Sequence, residues 1–90
     1  MTEELDKLVG QQVVVDVRAP LVYVGTLKSL DPTAIVLTDA DVHFCRDSRT
    51  TVEVYLIETR RNGLRPNRRE VFVMRSEVVS IGRLEDVILY

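Results

Sequence analysis

From Gln11 to Arg46 the chain offers three runs rich in β-branched residues. Only Pro20 and the turn sequence Asp31-Pro32-Thr33 separate them. β-Branched side chains suit a pleated, half-buried surface, and Pro and Asp mark the places where strands must stop. That succession points this 90-residue chain to a mainly β fold. The runs are QQVVVDVRA (11–19), LVYVGTLKSL (21–30) and AIVLTDADVHFCR (34–46). Gly25 stands inside the second, where a glycine marks a sharp bend or a close approach of another backbone. The third is long enough to bend.

Ahead of these runs, residues 1–10 read as a short helix. Thr2 is placed to cap it, Glu3 and Glu4 sit in its first turn, and Leu5, Leu8 and Val9 recur at helical spacing before Gly10 ends it. Residues 47–63, DSRTTVEVYLIETRRNG, fit two states. As a helix, Val52, Tyr55, Leu56 and Thr59 share one side, Asp47 or Ser48 caps the start, and Gly63 suits the end. The β-branched content favours a strand instead. The helical reading is preferred; it leaves Val54 and Ile57 off the apolar face, where neighbouring copies could cover them. Farther on, REVFVMRSEVVSIGRL (69–84) reads as two strands joined at Arg75-Ser76-Glu77 with almost no loop. The apolar tail EDVILY is expected to pair as an edge strand or to dock on a neighbour.

This length holds one domain, and no apolar run approaches the ~20 residues of a membrane span. The acidic start MTEELDKLVG has no apolar h-region, so no signal peptide is expected. The single Cys45 points to a reducing, cytoplasmic location. His43 and Cys45 share a strand face, but zinc needs three or four ligands, so no metal or other cofactor is expected. Side chains two apart on a strand stand ~7 Å apart, too far for His43 to activate Cys45. Asp39 and Asp41 likewise read as solvated or intersubunit charges. With no phosphate-binding loop, dinucleotide fingerprint or serine elbow, neither an enzyme nor a small-molecule substrate is expected.

The net charge of −2 hides an uneven distribution. Residues 60–69, RRNGLRPNRR, hold Arg60, Arg61, Arg65, Arg68 and Arg69 and no acid. Arginine offers a planar fork to phosphate or carboxylate. This patch therefore reads as a solvated loop, as a donor to a neighbouring subunit, or as the attraction for an anionic partner.

A short helix, a glycine-bearing bent second strand and nearly continuous last strands together resemble the Sm-like family. The likeness runs over essentially the whole chain, with residues 47–68 as an expanded loop or helical insertion between the third and fourth strands. Gly25-Thr26-Leu27-Lys28-Ser29-Leu30-Asp31, followed by Ile35-Val36-Leu37, is similar to the first Sm signature; Gly25, Leu27, Leu30 and Asp31 match it. Met74-Arg75-Ser76-Glu77-Val78-Val79-Ser80-Ile81 is similar to the second, with Arg75 in place and Ser76 where glycine is usual. The resemblance implies a strongly bent, five-stranded antiparallel barrel of SH3 type behind the N-terminal helix. It also implies a homo-oligomeric ring, expected at five to seven subunits, that binds single-stranded RNA.

The same resemblance places the RNA site at Asp31, Thr33, Ala34, Arg75 and Ser76. Ala34 falls nearest the position of the base-reading Asn, and neither it nor Thr33 offers an amide or a stacking face. Asp31 has a structural reading of its own, as the residue that fixes its turn. The expected function is a ring that binds RNA weakly or in a noncanonical way, with Arg75 and the Arg-rich loop supplying the attraction. The alternative is a protein-interaction or scaffolding ring that has lost RNA binding.

Overall fold

The computed structural model describes residues 3–44 and 49–89, with the side chains of Glu3 and of residues 49–51 left aside. Five strands form one antiparallel sheet: β1 (Gln12–Val17), β2 (Leu21–Leu30), β3 (Ala34–Phe44), β4 (Arg68–Met74) and β5 (Val78–Arg83). Their spatial order is β4-β3-β2-β1-β5. The helix α1 (Glu3–Asp6) precedes them, and the helix α2 (Arg49–Asn62) lies between β3 and β4. Single 3-10 turns follow β4 (Arg75–Glu77) and β5 (Leu84–Asp86). The expected mainly β architecture, with a short N-terminal helix and a helical insertion, is what forms.

Three local devices bend the sheet. The β2–β3 register shifts between Val24 and Thr26 and again between Leu27 and Ser29. A side chain on Gly25 would stand 2.9 Å from the Cβ of Ala40 and 3.0 Å from its Cα, so the close approach read from the sequence is real. Asp39, opposite this region on β3, takes a φ of +47°, a left-handed conformation that Asp tolerates better than most residues. The bend divides the long third strand.

Bending gives the sheet two covered faces. Inside lie Val13, Val15, Leu27, Ile35, Leu37, Ala40 and Val73, closed off by Leu8, Val17, Tyr23 and neighbours. On the other face Val14, Val22 and Val24 meet Val52 and Leu56 of α2 and Leu84 beyond β5. The run Val13-Val14-Val15 is therefore buried throughout instead of alternating. Each fully buried aliphatic side chain contributes roughly 1.5–3 kcal/mol of transfer free energy.

The side of α2 formed by Val52, Tyr55, Leu56 and Thr59 faces the sheet as expected, and Val54 stands half exposed. Thr59, the one buried polar residue among the described residues, donates from its hydroxyl to the Tyr55 carbonyl at 2.8 Å. Gly63, at φ +92°, ends the helix by donating its N–H to the Thr59 carbonyl. The expected caps Asp47 and Ser48, and likewise Thr2 and Cys45, lie outside the described residues.

Two expectations need correction. Helical hydrogen bonding does not run on to Gly10. After Asp6 the N–H groups of Leu8 and Val9 reach back three residues, and the Gly10 N–H bonds the Leu27 carbonyl, which draws the chain into the sheet. The C-terminal tail is not an edge strand of its own sheet. The 3-10 turn at Leu84–Asp86 buries Leu84 and packs Val87 on the second core. No described helix is long and apolar enough to cross a membrane.

Candidate functional site

The β3–β4 register brings the two sequence signatures together, because Ala34 pairs with Met74 and the next N–H, that of Arg75, donates to the Thr33 carbonyl at 2.9 Å. The β2–β3 turn and the β4–β5 junction thus form one surface. Asp31 shapes the turn: its Oδ1 accepts the Thr33 N–H at 2.7 Å and the Ala34 N–H at 2.8 Å. The Ala34 N–H and then the Thr33 N–H hold the Asp31 carboxyl below the ordinary carboxylate range; desolvation opposes them, and the charge of Arg75 adds the smallest lowering effect. Arg75 donates from Nη1 to the Asp31 backbone carbonyl at 3.1 Å, so the guanidinium lies over the turn.

Of the five residues carried over from the resemblance, Asp31, Thr33 and Ser76 are exposed, Arg75 is partly buried, and Ala34 is buried. The junction also holds Arg18, which sequence reading did not single out. Arg18 donates its backbone N–H to the Glu77 carbonyl and its Nε to the Ser76 carbonyl at 3.3 Å. A lone arginine before Ala19-Pro20 gives no sign of this; only the β1–β5 pairing brings it here. The surface offers two guanidiniums and the Thr33 hydroxyl. Those groups suit a phosphate or a stacked base, and they give no base-specific hydrogen-bond edge.

The arginines of residues 60–69 lie elsewhere. Ala40 pairs with Arg68 while Ala34 pairs with Met74, which puts Arg68 and Arg75 at opposite ends of β4, about 20 Å apart at ordinary strand rise. The five are also spread among themselves. Arg60 lines a cleft with Gln11, Gln12 and Glu85, whereas Arg65 lines another with Asp41, Tyr55 and Glu58. Asn67 pins the loop before β4: its Oδ1 accepts the Val42 N–H at 3.0 Å and its Nδ2 donates to the Val42 carbonyl at 3.2 Å. The segment is a docked connector leading into an edge strand.

His43 and Asp41 meet α2. The His43 ring stacks on Tyr55 with centroids 3.8 Å apart, and the Tyr55 hydroxyl donates to Asp41. This accounts for Asp41 and His43 by helix docking. Among the described residues no three His, Cys, Asp or Glu side chains gather in a way that could hold a metal ion.

No protein-family model matches the sequence, and no curated protein matches it by sequence. Solved structures do match. Among them is an Sm-like protein from Archaeoglobus fulgidus, 18% identical, which covers 90% of this chain and 89% of its own with a TM-score of 0.60. The fold is Sm-like. At that identity the likeness rests on shape; the turn at Asp31–Thr33 stands beside Arg75 through this sheet's own β3–β4 pairing.

Proposed function

We propose that this chain assembles into a ring of five to seven copies in the cytoplasm and binds single-stranded RNA weakly, at the surface formed by Thr33, Arg75 and Ser76. The observation that carries this reading is the Arg75 guanidinium fixed over the Asp31 turn, with Thr33 exposed beside it. The ring is supported by the two ends of the sheet. β4 and β5 each have one side without a strand partner among the described residues, and Phe72, Met74 and Val79 on them stay exposed at 59%, 44% and 65%. Exposed edges of this length need covering, and a head-to-tail contact between unlike edges closes a ring when the rotation permits.

With no amide or aromatic side chain in the turn, attraction comes from phosphate and from the faces of bases. Affinity should then fall steeply with salt and vary little between sequences. Fluorescence polarisation with oligouridine and oligoadenosine across a salt series tests this. Salt-sensitive binding of both, weakened by R75A, is expected. Binding absent at every salt would overturn the RNA reading and leave the ring standing.

The second reading, a scaffolding ring without RNA, is favoured by Ala34. It is buried where the resembling family presents its base-reading residue. Both readings are of a binding protein rather than an enzyme.

A further inference from the structure

The Arg-rich start of β4 and the acidic end of β5 are complementary, and this goes beyond edge pairing as such. Arg68 and Arg69 lie side by side at the exposed beginning of β4, with Arg65 just before them. The Arg69 side chain makes no hydrogen bond or ion pair among the described residues, and the Arg68 guanidinium reaches only the neighbouring Asn67 carbonyl. At the far end of β5, Arg83 is saturated by its own acids: it meets Asp86 at 2.9 and 3.1 Å and Glu85 at 3.1 Å. Both carboxylates are thus held in place, still largely open to solvent, and the group keeps a surplus negative charge. Beside it runs an open groove of about 250 Å³, where Asp16 and Asp86 stand with Arg83, whose guanidinium is already held by Asp86 and Glu85, among Val14, Ser80 and Val87. Asp16 adds a further negative charge there, accepting a hydrogen bond from Ser80.

Every pairing in the sheet is antiparallel. Continued in that sense from one copy to the next, the first residues of β4 fall against the last residues of β5. The two strands are also matched in length, seven residues against six. We infer that Arg68 and Arg69 of one copy dock on the Glu85–Asp86 turn and the Asp16 groove of the next, and that this charge contact fixes the register of the ring. The inference rests on the ring reading above. It assigns two arginines of the basic patch to a second copy of this chain, away from RNA. Preorganised, complementary charges of this kind steer association and penalise wrong registers.

Sedimentation velocity over a concentration series at low salt tests it with the wild type, R68E/R69E, E85R and the combined R68E/R69E/E85R. Each one-sided variant should raise the concentration for half-assembly about tenfold or more, by opposing like charges. The combined variant should recover most of that loss, which also shows that the reversed residues still fold. A wild type that assembles while the one-sided variants assemble equally well overturns the charge contact and leaves the ring intact. A combined variant no better than either one-sided variant overturns it too. A wild type that stays monomeric overturns the ring and this contact together.

Discussion

Nη1 of Arg75 donates to the backbone carbonyl of Asp31 at 3.1 Å and joins the β2–β3 turn to the β4–β5 junction across 44 positions of sequence. The same two segments are tied again by the Arg75 N–H and the Thr33 carbonyl. The candidate site is therefore a product of sheet register, with both halves held before any ligand arrives.

Replacing Arg75 by lysine keeps the charge but loses the fork that lies over the turn. R75K should retain part of the salt-dependent RNA affinity, whereas R75A should lower the slope of log affinity against log salt by about 0.7, the effect of one lost phosphate contact to a single strand. An unchanged slope in R75A would remove Arg75 from the RNA surface.

Asp31 gives a pH signature. Its carboxyl is held below the ordinary range when folded, so its stabilising effect is fully present above the unfolded value of about 3.9 and is lost as pH falls through the lower folded value. The stability gap between wild type and D31N, measured by urea unfolding from pH 5 to pH 2, should narrow toward low pH. A gap that is constant or widens would contradict the turn-fixing role.

At Gly25 the close approach of Ala40 leaves no room for a methyl group. G25A should destabilise the fold by about 1–3 kcal/mol in denaturant unfolding, the range for overpacking a well-filled site. An unchanged midpoint would mean that β2 and β3 separate there without strain.

Tyr55 couples α2 to β3 in two ways, through its hydroxyl to Asp41 and through its ring to His43. Y55F keeps the stack and should cost about 1.5–3 kcal/mol for the lost bond to a carboxylate. Y55A should cost more, since it also removes ring area from the second core. Equal losses for the two variants would mean that the stack contributes nothing.

Much of this was legible in the sequence because the local signals agreed. Gly25 marks the bend, Asp31-Pro32-Thr33 the turn, and Arg75-Ser76-Glu77 the tight junction. The segment at 47–63 was ambiguous for a physical reason. Its Val, Ile and Thr content favours a strand, and packing of Val52 and Leu56 on Val14, Val22 and Val24 decides for a helix. The positive φ of Asp39, the return of the tail onto the second core and the arrival of Arg18 at the junction all depend on partners distant in sequence. Charge density along the chain suggested one basic patch at 60–69. A helix end, a pinned loop and an edge strand then spread those five arginines over separate surfaces.

The most direct measurement of the account is the mass in solution, by light scattering on a sizing column at low and moderate salt. Head-to-tail pairing of β4 with β5 predicts a single species at about five to seven times the 10.3 kDa of the chain. A mass of one chain at every concentration and salt would show that the exposed edges go unpaired, and would contradict the ring.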